Sequence, residues 1–274
     1  MSGNTDMSFW EHLEALRGVL FRAVALLAVL AVASFCVMPY VFDHLILAPC
    51  RPDFPFYRLT DSLAAMCDIP GIEPGEPFSI SPVSLELTSQ FFIHMSASCW
   101  MAVVLGFPAL IYILWGFVSP ALYDHERRGI RRAFLAGNLM FYAGMSLGYL
   151  VVFPLALRFL ASYSLSPTIA TVISLDSYMD NFFTLILVMG AVFELPLLCW
   201  LLGKMGLLTR GFFRKYRRHA IVALLICAGL ITPTGDPFTL FAVFLPIYAL
   251  WEASGRLVPR GGDPKQASVP VPEN

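Results

Sequence analysis

Long runs of apolar residues alternate with short polar segments along most of this chain. None of the runs shows the period-two alternation of a membrane β-strand. About 20 apolar residues cross the hydrocarbon core of a bilayer as a helix, and only helices or closed barrels satisfy every backbone polar group there. The pattern predicts an all-α integral membrane protein with six transmembrane helices, at residues 19–38, 90–117, 133–153, 179–203, 220–232 and 238–257.

The last two predicted spans are short and form a tight hairpin. As a helix, residues 220–232 extend only about 20 Å, which is less than the roughly 30 Å thickness of the hydrocarbon core. Such a helix implies local thinning of the bilayer. We assign residues 1–255 to one membrane domain and residues 256–274 to a cytoplasmic tail, whose Pro and polar content predicts disorder.

Positive charge is concentrated on one side of these spans. Fifteen of the 18 Lys and Arg residues flank one face, and only Arg51, Arg58 and Arg158 fall on the other. Cytoplasmic loops of membrane proteins are enriched in Lys and Arg, so both termini are expected in the cytoplasm. The loop at about 40–88 is then an outer loop, rich in Pro and Gly, and we expect short amphipathic pieces to order it.

Composition agrees with lipid as the main solvent. Hydrophobic residues make up 58% of the chain and charged residues 14%, against about a quarter charged in soluble domains. No basic segment precedes the first apolar run and no small-residue cleavage signal follows it, so we expect the first span to stay in the mature protein. Cys50 and Cys67 share the outer loop, where the sequence leaves open a disulfide or two free thiols.

The chain shows no motif of bond-making chemistry. It lacks the common nucleotide-binding, zinc-protease and serine-hydrolase motifs, and its six cysteines form no CxxC pair. We therefore expect no enzyme activity, no cofactor and no metal. A net charge of −1 gives no indication of a nucleic-acid partner. What needs explanation is a set of acidic residues in unusual places.

Glu194 is the most unusual of them, because it lies within an apolar run. An ionised side chain there costs roughly 3 kcal/mol, so it should face a cavity, water or a partner. Pro196 cannot donate to the carbonyl of Val192, and this predicts a kink beside the acid. The alternative is a protonated glutamic acid that hydrogen-bonds a neighbouring helix for stability alone.

Three other segments carry acidic residues near predicted helix ends. Glu11 and Glu14 share one face of an N-terminal interfacial helix, with Arg17 one turn further; spacing alone favours ordinary charge pairing. Glu126 precedes a cluster of arginines, so it either receives a cationic ligand or pairs with its neighbours. Asp236 is placed to cap the helix that starts near Pro237, and capping alone explains it.

Together these segments resemble the TatC family, the multispanning receptor of the twin-arginine protein translocase. The resemblance covers residues of about 9 to 255 and rests on four stretches in the order that the family shows. These are His-Leu-Glu-Ala-Leu-Arg at 12–17, Phe-Val-Ser-Pro-Ala-Leu-Tyr-Asp-His-Glu-Arg-Arg at 117–128, Phe-Glu-Leu-Pro at 193–196, and the segment 232–252 from Thr-Pro through Pro-Ile-Tyr to Glu.

The resemblance implies a receptor with a concave, glove-like face that catalyses no bond chemistry. It would bind the Arg-Arg signal peptides of folded precursor proteins at the cytoplasmic face of the bacterial inner membrane. Paired carboxylates suit two planar guanidinium groups. Family members commonly carry a second acid where this chain has Ala15. The implied signal-binding residues are Glu126, Glu14, Phe117, Glu11, Arg17 and His125.

The same resemblance implies partners for the membrane-embedded and outer positions. Glu194 and Pro196 would contact partner transmembrane helices, and Pro49 and Asp236 would serve transport at the outer face. Single-span proteins of the TatA and TatB type would complete a multimeric complex in the lipid bilayer, driven by the proton-motive force. The competing interpretation is a proton-coupled secondary transporter of a small solute through Glu194. An intramembrane enzyme ranks third, because Glu194 has no evident catalytic partner in the sequence.

Overall fold

The apolar runs form long helices in the computed structural model, which describes residues 9–60, 79–118, 127–163, 166, 172–204, 207–232 and 237–258. Within these residues there is no β-strand, and the prediction of an all-α protein is confirmed. The helices are α1 (Phe9–Val41), α2 (Ser89–Val118), α3 (Arg127–Leu147), α4 (Phe153–Ser162), α5 (Leu175–Phe193), α6 (Leu195–Lys204), α7 (Arg210–Lys215), α8 (Arg217–Ile231) and α9 (Pro237–Leu257).

Five helical segments of the described chain are long and apolar enough to cross a membrane. They contain α1, α2, α3 with α4, α5 with α6, and α9. The sixth predicted span corresponds to α8, whose 15 residues extend about 22 Å. Phe21 and Val29 of α1 are exposed over 74% and 69% of their surface. In a bilayer such side chains face lipid, which is as apolar as they are.

Several helix ends differ from the sequence-based prediction. Helix α1 ends at Val41 rather than residue 38, while at its start the predicted interfacial helix runs from Phe9 into the span without a break. Helices α3 and α4 are joined by a π-helical turn, Gly148–Val152, and so continue to Ser162 rather than 153. Pro154 follows this turn and has no backbone N–H to donate, a common cause of such irregularity. Helix α9 passes the proposed domain boundary at 255, while residues 259–274 of the tail lie outside the described chain.

Small residues let the central helices approach closely. Helix α1 packs on α2, α3 on α5, and α9 on both α6 and α8. A Cβ atom at Gly144 of α3 would lie 2.6 Å from the carbonyl oxygen of Met189 and 2.7 Å from Cβ of Phe193. At Gly190 of α5 it would lie 2.8 Å from Cγ of Met145. Membrane helices use such residues because close backbone contact there adds van der Waals attraction.

The described part of the predicted outer loop is tied to the helix bundle. Tyr57 is 2% exposed, and its hydroxyl donates to the carbonyl of Pro49 at 2.9 Å. Val83 forms an isolated parallel bridge with Ser174, the residue before α5. These contacts agree with the expectation that short pieces order the loop. Cys50 is a buried free thiol, and Cys67 lies outside the described residues.

Candidate functional site

The N-terminal turns of α1 present an acidic residue to solvent. Glu14 and Arg17 are both exposed and lie one helical turn apart. Glu11 occupies the preceding turn, so the α-helix gives it the same face as Glu14; its side chain is outside the described part of the structure. Glu14 is therefore free of burial and available at the start of the first span.

The arginine-rich loop is described only at its two ends. Phe117 lies in the last turn of α2, although its side chain is outside the described residues. Helix α3 begins at Arg127, directly after Glu126. His125 and Glu126 belong to residues 119–126, which the structure does not describe, so their predicted roles remain predictions.

Glu194 interrupts a long membrane helix. It lies between α5 and α6, and its backbone N–H donates to the carbonyl of Ala191 at 3.1 Å. Its own carbonyl accepts from the N–H of Leu198 at 3.0 Å, which restarts the helical pattern. The buried Pro196 lies two residues further on and has no N–H to continue the earlier helix. The helix is thus interrupted at Glu194, two residues before this proline.

The Glu194 side chain lies against α3 at a glycine. From the position that a Cβ atom would take at Gly137, the carboxylate oxygens Oε2 and Oε1 are 3.2 Å and 3.7 Å away, and Cδ2 of Leu197 is 2.8 Å away. Any larger residue would therefore compete with both side chains for this space. The absence of a side chain at Gly137 thus leaves the space that the Glu194 carboxylate occupies.

Two buried side-chain oxygen atoms, one at Glu194 and one on α3, lack hydrogen-bond partners among the described residues. One is Oε1 of Glu194 and the other is Oδ1 of Asn138, the neighbour of Gly137 on α3. The Asn138 amide nitrogen donates to the carbonyl of Phe134 at 2.9 Å, which leaves its oxygen as an acceptor. Unsatisfied buried polar atoms are rare in folded proteins and call for an explanation. The packing of this chain alone therefore leaves a polar group within an apolar span unsatisfied at Glu194.

Sequence reasoning missed Gly137 and Asn138. An asparagine inside the apolar run 133–153 is a signal that could have found the site, because polar residues within membrane helices commonly mediate helix contacts. The contact of this segment with Glu194 is not readable from either segment alone, since the two are far apart in sequence.

Sequence reasoning also missed a polar cluster between α8 and α9. Nε of Arg217 lies 2.7 Å from Oε1 of Glu252 and 3.1 Å from the hydroxyl of Tyr248. The Tyr248 hydroxyl in turn donates to Glu252 at 3.1 Å. Tyr248 and Glu252 are four residues apart on one helix face, a spacing that places both toward one partner.

The predicted outer positions are only partly described. Pro49 is buried in a short 3₁₀ turn, Ala48–Cys50, and accepts the hydrogen bond from Tyr57 described above. Asp236 lies outside the described residues, and α9 begins immediately after it at Pro237. Within the described chain no group of three His, Cys, Asp or Glu side chains is placed to hold a metal ion.

This arrangement of helices and polar residues has known counterparts. Residues 11–246 match the profile of a family described as Sec-independent protein translocase protein (TatC). The chain belongs to the TatC family. Among TatC proteins, that of Blattabacterium sp. subsp. Periplaneta americana (strain BPLAN) is 30% identical over 254 residues, which cover 91% of this chain and 94% of the relative. That of Escherichia coli (strain K12) is 32% identical over 180 residues, or 64% and 67% of the two chains.

Solved structures of TatC share the fold. One crystal structure of the twin-arginine translocase receptor TatC has a TM-score of 0.69 and 27% identity, and the match covers 90% of this chain and 97% of that one. A second, in DDM, has a TM-score of 0.72 and 26% identity, with 91% and 100% covered. TatC is a translocase component, so the chain is a multi-pass membrane protein of the Tat complex and not an enzyme, as the sequence predicted.

Proposed function

We propose that this chain is the receptor subunit that binds Arg-Arg signal peptides of folded precursors at the cytoplasmic face of the inner membrane. The observation that carries the proposal is the match over nearly the whole chain to crystal structures of a twin-arginine translocase receptor. Exposed carboxylates beside the membrane suit a ligand with two guanidinium groups, because each carboxylate and guanidinium pair forms charge-assisted, bidentate hydrogen bonds. Glu14 supplies one such group, and Glu126, the residue before Arg127 in the sequence, is the proposed second.

The proposed orientation follows from charge. The segments that carry fifteen of the 18 Lys and Arg residues lie together on one side if all six spans cross the bilayer, and the positive side is cytoplasmic. The sixth crossing is then made by the short α8, where the bilayer would thin locally. This places Glu14 and Glu126 on the side from which precursors arrive.

The proposed partners are single-span proteins of the TatA and TatB type. Their helices would dock beside Glu194, a partly exposed acid within an apolar span whose Oε1 atom has no hydrogen-bond partner in the described chain. Transport would draw on the proton-motive force, and Pro49 and Asp236 would act at the outer face after the signal peptide has bound.

Signal-peptide binding tests the proposal directly. We expect Glu126→Ala to weaken binding of a twin-arginine signal peptide to the purified protein by roughly tenfold or more, or about 1.4 kcal/mol. Changing Arg-Arg to Lys-Lys in the peptide should have a similar effect, because an ammonium group cannot make the planar bidentate contact. Fluorescence anisotropy of a labelled peptide in detergent gives the Kd of each pair.

Glu86→Ala is the matched control. Glu86 is also an exposed acid, but it lies in the predicted outer loop, so its loss should leave the Kd unchanged. Equal binding of both peptides by the folded wild-type protein would refute the receptor proposal. Solute uptake through Glu194 would then be the next function to measure.

A further inference from the structure

A basic cavity of about 770 Å³ lies where α7, α8 and the end of α9 meet. Its wall carries four arginines and a single acidic residue: Arg210, Arg214, Arg217, Arg256 and Glu252. Its size falls in the range of about 300–1,000 Å³ that is usual for small-molecule sites. We propose that this cavity binds the phosphate headgroup of an anionic phospholipid, at a site separate from the signal-binding acids and from Glu194.

Two of the arginines are held in place by the protein. Arg210 donates from Nε to the carbonyl of Gly255 at 3.2 Å and from Nη2 to that of Arg256 at 2.7 Å. These carbonyls belong to the last turn of α9, which lacks partners within its own helix. Arg217 pairs with Glu252 at 2.7 Å. Arg210 is therefore anchored to the end of α9, and the one carboxylate of the cavity already has a cationic partner.

The other two arginines are available for a ligand. Arg214 and Arg256 are exposed, and neither forms an ion pair with another residue of the described chain. Since Glu252 offsets only one of the four guanidinium charges, the cavity has a positive excess. A phosphate group satisfies several guanidinium N–H donors at once, which makes it the matching ligand.

The surroundings favour a lipid over a free anion. The cavity lies at the ends of two membrane helices, which is the level of the headgroups whichever way the protein is oriented. Phe213 is buried against Trp251, with ring centroids 4.7 Å apart, whereas Phe212 and Tyr216 are each 39% exposed. Exposed aromatic rings beside basic residues are typical of a segment lying in the membrane interface. Basic pockets between membrane helices bind anionic headgroups.

Gly255 allows this cavity to form. A Cβ atom there would lie 3.0 Å from Cβ of Phe213, so the glycine lets α7 rest against α9. Arg214, next to Phe213, and Arg256, next to Gly255, both line the cavity.

Titration of the purified protein in detergent with a fluorescent phosphatidylglycerol tests the site. We expect the double variant Arg214→Gln/Arg256→Gln to weaken binding roughly tenfold or more. The control Lys215→Gln/Arg218→Gln removes the same charge from neighbouring exposed residues that do not line the cavity. It should change the Kd by less than about threefold, because scattered surface charges contribute little in salt.

Competition distinguishes the ligand sources. Unlabelled phosphatidylglycerol should displace the probe from the wild-type protein, whereas phosphatidylcholine and inorganic phosphate should not. Equal losses in the two double variants would overturn the proposal in favour of diffuse surface attraction. Displacement by inorganic phosphate as effective as by phosphatidylglycerol would also overturn it, since the cavity would then be a site for a free anion. Thermal unfolding of all variants confirms that each is folded before titration.

Discussion

Gly144→Ala is expected to lower the free energy of unfolding by about 3 kcal/mol, the upper part of the usual range for overpacking. The added methyl carbon would stand 2.6 Å from the Met189 carbonyl oxygen and 2.7 Å from Cβ of Phe193. A backbone oxygen and a Cβ atom cannot rotate away, so α3 and α5 must separate and lose contacts along their whole interface. Thermal unfolding of the purified variant in detergent measures the effect as a lower Tm.

Gly18→Ala is the control with the opposite expected sign. Gly18 lies in α1, and the nearest atom to an added Cβ there is Nη2 of Arg22 at 3.9 Å. Alanine is favoured over glycine by about 1 kcal/mol in a helix interior, so this substitution should be neutral or slightly stabilising. If Gly144→Ala were as stable as Gly18→Ala, the close packing of α3 on α5 would be refuted.

Hydrophobic patterning predicted helices well where a polar boundary marks both ends. Predicted spans at 90–117 and 238–257 correspond to α2 (Ser89–Val118) and α9 (Pro237–Leu257) within one residue. It failed at α4 (Phe153–Ser162), because a helix does not end where its hydropathy falls. The short α7 (Arg210–Lys215) in the basic segment was also not predicted, since six residues leave too little periodicity to detect.

The sequence identified single residues of the candidate site but not which segments of the chain lie in contact there. Glu194 stood out because charge is costly in lipid, and Pro196 correctly indicated the interruption of the helix. Gly137 gave no signal, because a glycine in an apolar run has many uses and its role depends on what lies opposite. Contacts between distant segments, such as Arg217 with Glu252, arise only when the helices pack. The roles proposed for Glu126 and Asp236 still rest on family resemblance.

Glu194→Ala is expected to weaken association with a TatB-type single-span partner by roughly thirtyfold, or about 2 kcal/mol, which is typical of a hydrogen bond to a charged group. The Glu194 carboxylate is held at a helix break against Gly137, and its Oε1 atom is buried with no hydrogen-bond partner among the described residues. Since Glu194 is only partly buried, a partner that donates a hydrogen bond to its carboxyl group makes an interaction that alanine cannot make. Titration of a labelled partner into the detergent-solubilised protein measures the Kd.

Two further variants separate a partner contact from loss of structure. Glu194→Gln keeps an acceptor oxygen of similar size, so its loss of affinity should be smaller than that of alanine. Asn181→Ala removes an exposed amide on α5 that already donates to the carbonyl of Ser177 at 2.8 Å, and it should leave the Kd unchanged. Signal-peptide binding by Glu194→Ala should also be preserved, because the proposed acids lie at the helix ends. Wild-type partner affinity in Glu194→Ala would show instead that this carboxyl group serves stability alone, the alternative that the sequence left open.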